Sequence, residues 1–280
     1  MPGFPLTQLP DGTKIPAYGL GTWRMGEDRR QRAQEVAALK HGIERGVTLI
    51  DTAEMYGDGE AENIVADAVG KKRDDIFIVS KVLPHNAGRA DTITACERSL
   101  RRLKTDRIDL YLLHWRGDVP LDDTIEAFNE LAEAGKILAW GVSNFDISDM
   151  GELWKTPDGN AVATNQVLYN LTRRGIEFDL MPWCRQRKIP IMAYSPIEQG
   201  RLLGHPVLRE IAARHKATPA QVALAWLMRH DDVIVIPKAT SIAHADENLG
   251  ALDLLLGHED FTALDRAFPP PKKPVALDML

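Results

Sequence analysis

The sequence predicts a (β/α)8 TIM barrel with an N-terminal β-hairpin. Three observations carry this. Strand-like and helix-like patterns alternate eight times along the chain, which argues for a parallel sheet, and eight repeats favour a closed barrel over an open sheet. Seven short apolar runs end in a polar residue, at Asp51, Lys81, His114, Ser143-Asn144, Gln166, Ser195 and Lys238. A buried parallel strand reads as a run of Val, Ile and Leu, and in a barrel its C-terminal end faces the mouth where chemistry is done. Finally, 280 residues is close to the ~250 of one such barrel. A single domain over 1–280 is therefore expected, with 269–280 as a tail.

The elements follow in order. Leu6-Thr7-Gln8 and Lys14-Ile15-Pro16 flank the turn signal Pro10-Asp11-Gly12, a hairpin suited to plug the barrel bottom. Ala17 to Gly21 is a glycine-rich first strand. Arg32 to Arg45 has a helical apolar period at Ala33, Val36, Ala37, Leu39 and Ile43. Thr48 to Asp51 is a strand, and Glu60 to Val69 a helix with Ile64, Val65, Ala68 and Val69 inward. Ile76 to Lys81, Ile108 to His114 and Leu138 to Ser143 are strands, separated by helices over Asp91–Leu103 and Leu121–Gly135. A short helix over Ser148–Trp154 precedes a strand over Val162–Gln166. A helix over Phe178–Arg187 precedes a strand over Ile189–Ser195. Helices over His205–His215 and Pro219–His230 come next; Thr218 caps the second, with proline at its first position. Val233 to Pro237 is the last strand. Helices over Ala245–Leu255 and Glu259–Ala267 close the domain. The tail after Pro269 is apolar, with Val275, Leu277, Met279 and Leu280, and reads either as a frayed end or as a short lip over the barrel mouth.

Composition narrows the function. A net charge of −6 argues against a nucleic-acid surface. Cys96 and Cys184 have no ligand or disulfide spacing, which fits a reduced, cytoplasmic protein. The opening Met1 to Pro5 shows no leader pattern, and no apolar run approaches the ~20 residues of a membrane span. No exposed apolar seam is evident in the sequence, so a monomer is expected.

The chemistry concentrates at three consecutive strand ends. A lone Asp after a strand is ordinarily a turn or cap, and a lone His is ordinarily structural. A lysine at the end of a core strand, however, needs an anionic partner, and Asp51 stands at the same height one strand from Lys81. His114 has the equivalent place on the next strand. Asp, Lys and His together at one mouth point to function rather than packing.

With these residues in place, the chain resembles the aldo-keto reductases. The resemblance rests on Asp51-Thr52-Ala53-Glu54-Met55-Tyr56-Gly57, Lys81 after its strand, Leu112-Leu113-His114-Trp115, Gly141-Val142-Ser143-Asn144-Phe145, Asn165-Gln166, Ala193-Tyr194-Ser195-Pro196 and Ile236-Pro237-Lys238. It runs from about Gly19 to Asn248. The stretch Cys184 to Pro196 and the ending Ala276-Leu277-Asp278-Met279 are most similar to bacterial methylglyoxal-type reductases of that family.

The resemblance implies Tyr56 as general acid, Lys81 as the cation that lowers its pKa, Asp51 as the group aiming Lys81, and His114 as a hydrogen-bond partner of the substrate oxygen. It implies NADPH, with NADH possible, bound without a Rossmann fingerprint; the sequence has no GxGxxG between a strand and a helix. Ser143, Asn144 and Gln166 would hold the nicotinamide carboxamide, Tyr194 would stack on the ring, and Ser195 to Leu202 would line the pyrophosphate. Lys238, Ala239, Thr240 and Ser241 would meet the adenosine phosphate, with Glu247 and Asn248 at the adenine. The chain departs from many NADPH-preferring relatives at His244, where they have arginine. His244 is either a weaker phosphate partner or a surface residue at a helix start. Trp23 and Trp115 would line the substrate pocket or pack in the core.

The expected activity is NADPH-dependent reduction of aldehydes and α-dicarbonyls such as methylglyoxal. Rival readings are a keto-sugar or diketo-acid reductase and a cofactor-binding regulatory subunit of the same fold. A metal-dependent hydrolase on the same barrel fits poorly, since the strand ends offer one His and one Asp.

Overall fold

The computed structural model describes residues 4–280; Met1 to Gly3, part of the stretch read above for a leader, lie outside the described residues. Strands β1 (Leu6–Gln8) and β2 (Lys14–Pro16) form an antiparallel hairpin in the register Leu6 to Pro16. Its turn is closed by Asp11, whose carboxylate accepts from the Thr13 amide at 2.8 Å. The remaining strands are β3 (Leu20–Gly21), β4 (Leu49–Asp51), β5 (Phe77–Val82), β6 (Ile108–Leu113), β7 (Ile137–Ser143), β8 (Asn165–Leu168), β9 (Ile191–Tyr194) and β10 (Val233–Val235). They lie side by side in chain order, and every pair is parallel. The sheet closes on itself: Val235 donates to Ala17 O at 2.9 Å, Gly19 to Val235 O at 2.9 Å and Gly21 to Pro237 O at 3.0 Å. Closure needs glycine here, because a Cβ on Gly21 would lie 2.8 Å from Ile236 O.

Helices α1 (Arg32–Glu44), α2 (Glu60–Val69), α3 (Arg89–Leu103), α4 (Leu121–Glu133), α5 (Ile147–Leu153), α6 (Leu180–Gln186), α7 (Pro206–His215), α8 (Pro219–Leu227), α9 (Ile242–Leu249) and α10 (His258–Ala267) accompany the strands. Thr218 and Gln221 form a reciprocal capping box at the start of α8, with Pro219 at its first position. Among the described residues no helix is long and apolar enough to cross a membrane.

Strand periodicity sorts the side chains into two layers. Leu49, Val79, Leu110, Leu112, Met192, Ile234 and Ile236 fill the barrel interior, joined by Leu9 and Ile15 of the hairpin segment. Their alternates, including Ile50, Ile78, Tyr111, Val142 and Val235, pack under the helices. Continuing the same period of two places Asp51, Lys81, His114 and Lys238 on the interior face, one step beyond the apolar layers.

Several limits differ from the sequence expectation: β3 is only Leu20–Gly21, α8 ends at Leu227 and β9 is Ile191–Tyr194, and two further elements shift as a whole. β8 covers Asn165–Leu168 rather than Val162–Gln166: Val167 and Leu168 carry it past the polar Gln166, while ahead of it the Ala163 amide already donates to Trp140 O of β7 at 2.8 Å. α9 begins at Ile242 and ends at Leu249, since Ser241 Oγ accepts from the His244 amide at 3.3 Å and so caps the helix earlier than the apolar pattern indicates. The tail follows the second of its two readings. It crosses the barrel mouth, and Met279 and Leu280 reach the central cleft.

Candidate active site

The C-terminal ends of the strands open into a cleft of about 730 Å³. At its base stands an ion pair. Lys81 is fully buried, and its Nζ donates to Asp51 Oδ1 at 2.7 Å, to Thr52 O at 2.8 Å and to Tyr56 Oη at 3.4 Å. Tyr56 follows β4 in a tight turn whose Gly57 adopts φ +56°; a Cβ there would lie 2.8 Å from Met25 O. This turn folds the phenol back over the barrel. His114, the residue after β6, meets the Tyr56 ring edge-on at a centroid distance of 5.8 Å.

Burial governs the protonation of all three. It pushes Tyr56 well above the ordinary tyrosine value, reinforced by the charge of Asp51 and by Tyr194. The sequence expectation was the reverse, a phenol lowered by Lys81. Lys81 is itself lowered by burial, opposed by Asp51, and its charge is largely offset by that carboxylate. His114 is pushed down to about 2, by burial and then by the Lys81 charge; it is neutral, and its Nδ1 is buried without a hydrogen-bond partner. The site therefore presents a protonated phenol, a neutral imidazole and a compensated ion pair.

A second set of polar groups continues across the mouth. Gln166 Nε2 donates to Asp51 Oδ1 at 2.8 Å, and Ser143 Oγ to Gln166 O at 2.8 Å. Asn144, at φ +58°, donates to His114 O at 3.1 Å and accepts from Tyr194 Oη at 2.9 Å. Tyr194 ends β9 and Ser195 follows it, and both border the cleft. At its far end the cleft meets Lys238, His244, Glu247 and Asn248. Burial lowers Lys238, while Glu35 and Glu27 favour its charge and Arg24 opposes it. Trp23 and Trp115 also line the cleft, Trp115 with its ring 4.9 Å from that of His114.

Four expected cofactor contacts do not border the cleft. Leu202 packs in the outer core, and its neighbour Leu203 faces the cleft instead. The turn before it has left-handed residues at Ser195, Glu198, Gln199 and Gly200, so no simple period predicts which leucine points inward. Ala239 is buried, and Ser241 directs its hydroxyl to the α9 cap; Thr240 also lies outside the cleft wall. Conversely, Arg24 and Met55 line the cleft without having been anticipated. Arg24 had a usable signal, standing directly after the first strand end and Trp23. Its guanidinium sits 4.5 Å above the Trp23 ring.

Chemically, this is a site for moving one proton to an oxygen at the floor of a long cleft whose other end carries a cation. Among the described residues no cluster of His, Cys, Asp and Glu could hold a metal ion.

Comparison with known proteins agrees with this geometry. The model of the aldo/keto reductase family matches residues 17–268. Methylglyoxal reductase YeaE of Escherichia coli (strain K12) is 53% identical over 280 residues, covering 98% of this chain and 99% of that protein. Glyoxal reductase of Bacillus subtilis (strain 168) is 36% identical, covering 92% and 91%. The crystal structure of an aldo-keto reductase from Klebsiella pneumoniae in complex with NADPH superimposes with a TM-score of 0.95 at 52% identity, covering all of both chains. The chain belongs to the aldo/keto reductase family.

Proposed function

We propose that this protein reduces small aldehydes and α-dicarbonyls such as methylglyoxal to alcohols, using NADPH. The observation that carries the reading is the Tyr56 hydroxyl at the cleft floor, 3.4 Å from a buried Lys81 that is itself held by Asp51. The names of the similar methylglyoxal and glyoxal reductases support the substrate class.

The cleft fits a nicotinamide dinucleotide. Asn144, Gln166, Tyr194, Gly200 and Lys238 all line it, and a Cβ at Gly200 would have its nearest neighbour only at 4.0 Å. That leaves the backbone open to a pyrophosphate. Asn144 and Gln166 would take the carboxamide end, Tyr194 the ring face, and Lys238 with His244 the adenosine phosphate, with Glu247 and Asn248 beside the adenine. When bound, the reduced nicotinamide supplies hydride to the carbonyl carbon.

The chain's own residues handle the proton. Tyr56 gives its phenolic proton to the carbonyl oxygen. Lys81 stabilises the tyrosinate that results, and Asp51 and Thr52 O keep its ammonium aimed. His114, held neutral, offers a hydrogen bond to the substrate oxygen without competing for the proton. Trp23 and Trp115 wall a mouth left open by the short segment after Trp115, which suits small substrates. The acidic balance, the buried reduced cysteines and the self-contained site support a cytoplasmic monomer that acts on small molecules rather than nucleic acid.

The test is consumption of NADPH by purified protein given methylglyoxal or an aromatic aldehyde, with no metal added. Tyr56→Phe should lower kcat/KM by roughly 10²- to 10⁴-fold, the range for loss of a general acid, with the NADPH Kd near wild type. Retention of most of the rate by Tyr56→Phe would remove Tyr56 as the acid.

A further inference from the structure

The tail and the turn after β9 both border the cleft, and one side chain joins them. Arg173, in the segment after β8, reaches Asp278 of the tail with Nη1 at 3.3 Å. On its other side Nη2 and Nε hold Glu198 Oε1 at 3.1 and 3.3 Å. Glu198 is 4% exposed and has two further holders, Asn170 Nδ2 at 2.8 Å and Arg201 Nη2 at 3.0 Å. Asn170 also donates to Ser195 O at 2.9 Å.

The turn that Glu198 anchors is strained. Ser195, Glu198 and Gln199 all have φ near +50°, a region that costs a non-glycine residue on the order of 1 kcal/mol or more each. Such a conformation persists only while its surroundings hold it, and here the holders converge on one buried carboxylate. Gln199, Gly200 and Leu203 of the same turn line the cleft.

The tail is lightly seated. A cavity of about 260 Å³ lies between residues 274–278 and the body, bordered by Asp146, Leu168, Arg173 and Ile176. Among the described residues no backbone amide of 269–280 joins a hydrogen-bonded turn or strand. Its beginning is fixed by the neighbouring arginine, Arg174, whose Nη1 donates to Phe268 O. Its end rests on Asp278, and immediately beyond that Met279 and Leu280 enter the cleft, where the backbone of Leu280 reaches Tyr194.

We propose that Arg173 is a positioning residue that latches the tail to the 195–203 turn, so that the two covers of the cleft open together and Asp278 sets how fast the dinucleotide leaves. This rests on the reading of the cleft as a dinucleotide site. A tail that acted only through Met279 and Leu280 would change carbonyl substrate binding; a latched tail also changes cofactor release, through a residue that touches neither ligand.

The experiment uses the full chain with Asp278→Asn, Glu198→Gln and the double variant. Asp278 is partly exposed, so its variant should unfold at the wild-type urea midpoint. In the ligand-free protein, hydrogen exchange over 196–203 should be faster in Asp278→Asn than in wild type; the amides of Glu198, Gly200, Arg201 and Leu203 are hydrogen-bonded within this turn and report its opening. In the loaded protein, release of NADPH is followed by its fluorescence after displacement with excess NADP+. A partly exposed ion pair contributes up to about a fivefold effect, so release should be about two- to fivefold faster in Asp278→Asn. Loss of the charge-assisted bonds of buried Glu198 should give about tenfold or more. Because both act through Arg173, Asp278→Asn should add nothing in the Glu198→Gln background. Multiplicative effects, or unchanged exchange in Asp278→Asn, overturn the latch. Absence of NADPH binding by wild type overturns the dinucleotide reading instead, and the exchange result then decides the latch by itself.

Discussion

Lys81→Met tests the buried pair on which the site stands. With the ammonium gone, the Asp51 carboxylate, 3% exposed, keeps Gln166 Nε2 at 2.8 Å as its side-chain donor. Removing one member of a buried ion pair costs about 3–5 kcal/mol, and the urea midpoint should fall to match. Asp51→Asn should cost a similar amount by leaving Lys81 with Thr52 O at 2.8 Å and the Tyr56 hydroxyl. In the double variant neither charge is buried alone, so more than half of the loss should return. Activity should not return with it. A unit charge 3.4 Å from the forming tyrosinate is worth about 5 kcal/mol at an effective dielectric constant of ~20. Asp51, 2.7 Å from the same ammonium, cancels part of that. A loss of roughly 10²- to 10³-fold in kcat/KM is expected for Lys81→Met and for the double variant alike. Urea unfolding followed by tryptophan fluorescence and initial rates of NADPH consumption measure the two quantities separately. A double variant no more stable than Lys81→Met refutes the pairing argument. A Lys81→Met enzyme with more than about a tenth of wild-type kcat/KM refutes the electrostatic one.

His114 supplies a pH prediction. It is neutral in the fold, with its pKa pushed down to about 2, while the unfolded chain takes up the proton near the ordinary ~6.5. Between those values the unfolded state binds more protons, so stability rises with pH across the window and is lost as pH falls below ~6.5. At pH 5 the cost from His114 should be about 2 kcal/mol, and the urea midpoint of His114→Gln should fall less between pH 7 and pH 5 than that of wild type. Equal slopes would count against a buried neutral imidazole. His244→Arg should tighten NADPH about tenfold relative to NADH, since arginine brings a permanent charge and a bidentate fork to the end of the cleft that already holds Lys238. Titration of both cofactors checks this, and an unchanged NADPH Kd would displace the phosphate from that end.

The strand ends were legible because barrel strands obey one simple rule. Apolar residues alternate between the interior and the helix layer, and the next interior position after the last apolar layer meets the cleft; Asp51, Lys81, His114 and Lys238 follow directly. Tyr56 obeys no such rule. It is carried inward by a turn around Gly57, and only the family pattern singled it out. The Leu202 expectation failed for the same reason, since the turn from Ser195 to Gly200 alternates handedness and erases periodicity. The β8 limits shifted because Val167 and Leu168 continue the strand beyond Gln166, the polar residue taken as its end. The tail's apolar residues announced that it packs, but its path is set by Arg173 and Arg174, whose partners are about a hundred residues away in sequence.

The direction of the Tyr56 shift changes what Lys81 is for. A cation favours the tyrosinate, and only a phenol lowered below the working pH would have no proton to give. Burial and Asp51 instead keep the proton on Tyr56. The cleft floor then carries almost no net charge, which suits a neutral aldehyde or dicarbonyl. Lys81 lies within 3.4 Å of the phenol oxygen and has Asp51 at its back, 2.7 Å away. Its field therefore acts on the one oxygen where negative charge appears as the proton departs. An interaction weak in the resting state and strong at the transition state raises kcat rather than merely tightening binding. In that arrangement Asp51 restrains Lys81 at rest and aims it during the reaction. Asp51→Asn should accordingly lower kcat more than it changes the KM for the carbonyl.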